Sequence, residues 1–186
     1  MRAVLGAVAV MMCLASVARG LTPSASDVVS GFSRTMPGEE VEASRDLTPA
    51  QGSMMKATGT FDVKLAPVGN DSVPEGPNMG RLSLDKTFKG DFDGVGKGEM
   101  ITAAGITVKE SAAYSAVERL TGTLHGKKGS FALQHTGIMD KGKPSLTITV
   151  VPDSGTGELT GLTSKMDIII EGKEHKYVFE YSMPKE

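Results

Sequence analysis

Apolar and polar residues alternate through most of the chain from residue 54 to residue 183. A period of two is typical of a β-strand with one buried and one solvent-facing side. Loops rich in Gly, Pro, Asn and Asp separate the alternating stretches, which predicts a single all-β domain over residues 54–183. The apolar set of the first strand is Met55, Ala57, Gly59, Phe61, Val63 and Leu65.

The central part of this pattern predicts a β-hairpin. Its link contains Gly126 and Lys127, and a Gly-X pair suits a two-residue type II′ loop because glycine accepts positive φ. Counting outward from the bond between them places Glu118 opposite His135, on the apolar face. We therefore expect these two polar side chains to be direct cross-strand neighbours.

A carboxylate beside an imidazole on a buried face has two interpretations. The pair can orient a histidine tautomer and transfer protons, or supply metal ligands. It can equally be a satisfied polar pair that fixes the strand register. Both interpretations stay open, and Glu118 and His135 are the candidate catalytic residues.

Further polar residues are candidates for ligand binding. Lys86 falls on the apolar face of the second strand, where its stem can pack while its amine reaches the rim. Glycines follow on the inner face of the third strand, with Gly94 expected opposite Lys86. Glu99 falls on the other face of that strand unless a bulge intervenes, so its role stays open.

The last hairpin passes the same counting test. Around its Gly-Lys link, Ile168 falls opposite Tyr177, and the apolar faces agree. His175, Tyr177 and Tyr181 then share the inner side with their polar tips available. They are candidate ligand-binding residues, or core residues whose polar tips reach water at the rim.

Composition excludes several functions. The formal net charge of the 186-residue chain is −2 and Trp is absent, which gives no basis for nucleic-acid binding. The sole cysteine, Cys13, lies in the N-terminal apolar run, so thiol catalysis in a processed chain is not expected. The three histidines show no short ligand spacing, and we expect neither a metal nor a cofactor.

The N-terminal region differs from the domain. Residues 1–20 have a basic start, an apolar core and a small-residue exit, the layout of a secretory signal peptide. We expect a secreted or periplasmic protein without stable membrane insertion after processing; the alternative is a membrane anchor formed by the uncleaved segment. Residues 21–53 lack an apolar period and are predicted to be a disordered linker.

Several motifs resemble one bacterial family, domain-of-unknown-function family 3224. They are MKATGTF at 55–61, GEM at 98–100, ER and GTL within 118–124, SFALQH at 130–135 and VVPDSGTGELTG at 150–161. That family resembles the allene-oxide-cyclase-like barrel, which implies an eight-stranded antiparallel closed barrel. The resemblance implies the fold and no reaction, and no functional residue is carried over from it.

Two functions from different classes follow. The first is a barrel that binds, and in one version isomerises or cyclises, a small apolar ligand near Glu118 and His135. The second is a non-catalytic barrel with a filled interior that acts through oligomerisation or partner binding. The sequence does not decide whether the protein is an enzyme, nor which ligand it takes.

Overall fold

The structure is a computed structural model that describes residues 52–71, 76–77 and 79–185. The predicted signal peptide (1–20) and nearly all of the predicted linker (21–53) lie outside these residues, so both stay predictions. Within the described part no helix is long and apolar enough to span a membrane. The strands are β1 (Met55–Asp71), β2 (Met79–Gly90), β3 (Phe92–Ala104), β4 (Ala112–Leu124), β5 (Lys127–Asp140), β6 (Lys143–Val150), β7 (Thr156–Gly157), β8 (Thr163–Glu171) and β9 (Glu174–Ser182).

Eight of the strands close into an antiparallel barrel. Neighbours run β4-β3-β2-β1-β9-β8-β6-β5, and β5 returns to pair with β4. The remaining strand, β7, has two residues and pairs with Gly129 and Ser130 near the start of β5. The closed eight-stranded barrel expected from the family resemblance is confirmed.

The register of the last hairpin is the predicted one, and that of the central hairpin is not. Ile168 lies opposite Tyr177, as the counting test predicts. In the central hairpin, however, Glu118 lies opposite Leu133 rather than His135. The true loop is one residue earlier than predicted, which moves the register by two residues and leaves the apolar faces coincident.

Tertiary contacts explain the position of this loop. His125 and Gly126 form it with φ of 46° and 83°, the two positive values of a type I′ turn. Left-handed backbone is uncommon for a residue with a side chain. Here the His125 amide donates to the Asp91 carbonyl oxygen over 2.9 Å, and its ring Nδ1 lies 2.7 Å from the Tyr181 hydroxyl. Counting residues outward from a turn cannot take account of contacts with residues this far away in the sequence.

The register between β2 and β3 is also two residues from the predicted one. Lys86 lies opposite Gly96, and Phe88 opposite Gly94. The inner faces again coincide, because the difference is even.

One end of the barrel is filled and covered. Aromatic residues from several strands pack there, including Phe88 and Phe131, which are 0% and 1% exposed. Leu159 and Leu162, from the loop between β6 and β8, are buried in the same cluster. This loop therefore closes one mouth of the barrel.

Towards the other end, inward-facing residues of β2–β5 such as Leu84 and Met100 are buried, whereas several on β1, β6, β8 and β9 are only half-buried. Among the described residues, the one pair that joins β6 to β8 is Thr149 with Lys165, whereas β5 and β6 pair along the whole of β6. The wall is therefore least regular between β6 and β8. Half-buried inward side chains on β1, β6, β8 and β9 include a group that we call the inner patch, namely Val63, Leu65, Leu146, Ile168 and His175.

The outer surface of β2–β5 carries exposed apolar side chains. Met79, Ala103, Ala113 and Ile138 follow one another across the four strands. A shallow, open depression of about 480 Å³ lies at this end of the strands and is lined by Ile138, Met139 and Asp140 of β5 and by residues 103–105 and 111–113 around the β3–β4 connection. We call this area the outer depression.

Candidate functional site

Three charged or titratable side chains meet inside the barrel. Glu118 on β4 lies opposite Gly98 of β3, and Lys86 on β2 lies opposite Gly96 of the same strand. Because β3 has no inward side chain at these positions, the two long side chains can meet across the roughly 9–10 Å that separates strands β2 and β4. His135 on β5 is a diagonal neighbour of Glu118, within reach of its side chain.

The three residues, which we call the trio, share one carboxylate oxygen. The Lys86 ammonium donates to Glu118 Oε1 over 2.7 Å, and His135 Nε2 donates to the same oxygen over 2.9 Å. The side chains of Lys86, His135 and Glu118 are 2%, 3% and 0% exposed. The other oxygen, Glu118 Oε2, is buried and has no hydrogen-bond partner among the described residues.

Gly96 and Gly98 are required by this arrangement. A Cβ atom built on Gly96 would lie 3.0 Å from Glu118 Oε2 and 3.2 Å from the Phe88 ring. A Cβ atom on Gly98 would lie 2.6 Å from the Glu118 Cα atom and closer still to the Val117 carbonyl oxygen. The inward glycines therefore allow β4 and its carboxylate to approach β3 closely.

Electrostatics set the protonation states. Burial alone would raise the pKa of Glu118, but the Lys86 charge and the His135 hydrogen bond oppose it, and the pKa lies below its ordinary value. Burial lowers the pKa of His135, opposed by its hydrogen bond to Glu118. Near neutral pH Glu118 is thus a carboxylate and His135 a neutral imidazole. Burial and the Glu118 charge raise the pKa of the nearby Tyr114 hydroxyl to about 12.

The lowered pKa of His135 predicts a pH-dependent stability. The folded-state pKa lies below the ordinary value of 6.5, so the unfolded chain binds the proton more readily as the pH falls through 6.5. Stability present above pH 6.5 is therefore lost below it, at up to about 1.4 kcal/mol per pH unit. Urea unfolding between pH 7.5 and 5.5 measures this loss, which His135→Gln should reduce to the part contributed by His175, whose pKa is also lowered. Parallel curves for the two proteins would contradict the assignment.

The trio corrects two sequence expectations. Glu118 and His135 do touch, but as diagonal neighbours rather than as a direct cross-strand pair. The Lys86 amine does not reach the rim. It is buried in the trio, 5.1 Å from the centre of the Phe61 ring, because an ion pair is available inside the barrel.

The other candidate residues lie elsewhere. His175 belongs to the inner patch and its ring centre lies 5.2 Å from that of Phe61. Burial and the Lys86 charge lower the pKa of His175. Glu99 lies on the outer face and pairs with Arg81 over 2.7 Å, with side chains 56% and 55% exposed.

The two candidate tyrosines lie near the closed end of the barrel. The Tyr177 hydroxyl accepts from the Phe92 amide over 2.9 Å and donates to the Phe92 carbonyl oxygen over 3.3 Å. The Tyr181 hydroxyl bonds to His125. Both tyrosines are buried, and their hydroxyl groups bond to the Phe92 backbone and to the His125 ring. Neither hydroxyl group therefore takes part in the hydrogen bonds of the trio.

Sequence reasoning missed Phe61 and Gly96 as parts of the site. Phe61 presents its ring to the Lys86 ammonium, a cation–π contact, and Gly96 adjoins the unpaired oxygen. The run of inward glycines beside an inward lysine was the available signal. Across the described ranges, no group of three or more His, Cys, Asp or Glu residues is placed to hold a metal ion.

Relatives of the chain identify its family. Residues 57–181 match the family described as protein of unknown function (DUF3224). A crystal structure of a protein with unknown function from the DUF3224 family, from Shewanella oneidensis MR-1, is similar to the chain with a TM-score of 0.67 and 46% identity. The similarity covers 72% of this chain and 100% of that one. No curated protein matches. The chain belongs to the DUF3224 family.

Proposed function

We propose that this protein binds a small, mainly apolar ligand at the inner patch, next to the trio. The proposal rests on the difference in burial between the inner patch and the trio. Inward apolar side chains such as Leu146 and Ile168 are half-buried, while the charged trio beside them is almost completely buried. Ligand pockets typically combine an apolar lining with a few polar groups.

The inner patch adjoins the trio directly. Val63 lies opposite Lys86 on the neighbouring strand, and Leu146 packs against both hydrophobic clusters of the barrel. His135 lies opposite Ile148, two residues along β6 from Leu146. An apolar molecule that covers these side chains would remove their exposed area from water, which is the driving force for binding.

The trio also suits proton transfer on such a ligand. With its Nε2–H donated to Glu118, the neutral His135 imidazole carries its lone pair on Nδ1. A carboxylate that orients a neutral imidazole is a common arrangement of a general base. Isomerisation or cyclisation is therefore the reaction class that accompanies this proposal.

The alternative is a barrel that acts through oligomerisation, and the outer depression is the surface that would serve it. Exposed apolar residues such as Ile138, which is 48% exposed, favour contact with a second chain. That function leaves the unpaired Glu118 oxygen and the half-buried inner patch without a role. Ligand binding accounts for both, so we prefer it.

A matched pair of variants tests the proposal. The probe is 1-aminoanthracene, whose fluorescence increases in an apolar site, titrated into the full-length protein. Ile168→Asn removes roughly 50 Å² of apolar contact from the inner patch, which at about 25 cal/mol per Å² weakens binding by roughly 1.3 kcal/mol, or about eight-fold. Ile138→Asn makes the same change in the outer depression and should leave the affinity unchanged.

Circular dichroism of both variants verifies that they are folded. Loss of affinity in Ile138→Asn with none in Ile168→Asn would place the probe on the outer surface and contradict the proposal. Absence of any fluorescence increase with the wild-type protein would contradict it as well.

A further inference from the structure

The unpaired oxygen of Glu118 restricts the chemistry of the ligand. Glu118 Oε1 accepts two hydrogen bonds, from Lys86 and from His135, whereas Oε2 is buried and accepts none from the part of the chain that the structure describes. A buried carboxylate oxygen without a donor is costly to leave unpaired. The trio therefore lacks a hydrogen-bond donor for Glu118 Oε2.

The charges of the trio are already balanced. The Lys86 ammonium and the Glu118 carboxylate are 2.7 Å apart and cancel, and His135 is neutral near pH 7. An anionic ligand would meet the uncompensated lone pairs of Oε2, and a cationic ligand would meet the Lys86 ammonium. Either would also have to leave water for a site whose dielectric is low, at a high desolvation cost.

Resting on the proposed function, we propose that the ligand is a neutral apolar molecule with a hydroxyl group, which donates a hydrogen bond to Glu118 Oε2. The apolar body covers Ile168, Leu146 and their neighbours in the inner patch. Val63 of the inner patch lies opposite Lys86, so the patch borders the trio on this side.

Three naphthalenes that differ only in the group at position 2 test the inference. Their binding to the full-length protein is measured at pH 7.5 by isothermal titration calorimetry. They are 2-naphthol, which is neutral and donates; 2-methoxynaphthalene, which is neutral and does not donate; and 2-naphthoate, which is an anion. We expect 2-naphthol to bind about ten-fold more tightly than 2-methoxynaphthalene, because it alone satisfies a charged acceptor. We expect 2-naphthoate to bind more weakly than both.

A double variant and a surface control complete the experiment. Lys86→Met combined with Glu118→Gln removes both charges together, which avoids leaving a buried ion unpaired. The preference for 2-naphthol over 2-methoxynaphthalene should fall to less than about three-fold in this variant, because the acceptor is no longer charged. Glu99→Gln makes the same carboxylate-to-amide change on the outer face and should keep the full preference.

The outcomes separate the two proposals. Equal binding of 2-naphthol and 2-methoxynaphthalene to the wild-type protein would overturn the hydroxyl assignment and leave apolar binding intact. Tightest binding of 2-naphthoate would overturn it too, and would make Lys86 the group that recognises the ligand. Failure of all three ligands to bind would contradict the proposed function itself.

Discussion

Replacing Glu118 by glutamine is expected to destabilise the barrel by about 3–5 kcal/mol at pH 7, the effect of removing one partner of a buried ion pair. The substitution keeps the shape of the side chain but leaves the Lys86 ammonium buried without an anion. In the folded protein that ammonium has the Glu118 oxygen at 2.7 Å and otherwise faces aromatic rings. Urea unfolding of the full-length protein measures the loss.

The double variant provides the decisive comparison. Lys86→Met together with Glu118→Gln removes the unpaired charge, so most of the lost stability should return. Glu99→Gln is the matched control, because Glu99 pairs with Arg81 on the surface, and we expect a change within about 1 kcal/mol. If Glu118→Gln were as stable as Glu99→Gln, the trio would not be the buried ion pair described above.

The second large effect is expected from Gly98→Ala. Its Cβ atom would overlap the Val117 carbonyl oxygen and lie 2.6 Å from the Glu118 Cα atom. Both are atoms of the β4 backbone, so strands β3 and β4 must move apart, and we expect a loss of about 3 kcal/mol. Chemical unfolding gives the value, and a weakened Lys86–Glu118 contact should accompany it.

Gly172→Ala is the control that separates the effect of steric overlap from the effect of backbone conformation. Gly172 has open space around its Cα atom but a φ of 63°, so alanine there incurs only the left-handed penalty of about 1–2 kcal/mol. Gly98→Ala should be clearly more destabilising. A Gly98→Ala protein with wild-type stability would show that β3 and β4 are not held together as closely as the structure indicates.

The alternation of residues was sufficient to predict the all-β domain and the faces of its strands. The last hairpin could be predicted to the residue because a glycine at its turn and apolar residues on both strands agree on one register. Closure into eight strands came from the family resemblance, since alternation alone does not say which strands become neighbours around a barrel.

The central hairpin shows what the sequence leaves undetermined. His125 and Gly126 form the turn because Asp91 and Tyr181 hold the histidine, and these contacts exist only in the folded barrel. An even shift of register keeps the apolar faces together, so the hydrophobic pattern cannot detect it. The prediction that Glu118 meets His135 was correct in contact and wrong in register.

Part of the candidate site could be predicted from the sequence. Inward positions for Lys86, Glu118 and His135 follow from alternation, but the meeting of Lys86 with Glu118 does not. The two residues lie on second-neighbour strands, and they meet only because glycines occupy the strand between them. The unpaired state of Glu118 Oε2 depends on side-chain geometry that no sequence pattern encodes.

A crystal structure of the protein soaked with 2-naphthol tests the ligand site most directly. We expect the naphthalene rings against Ile168 and Leu146, with the hydroxyl oxygen about 2.5–2.7 Å from Glu118 Oε2, the range of a hydroxyl–carboxylate hydrogen bond. Naphthol in the outer depression, with a water molecule on Glu118 Oε2, would contradict it.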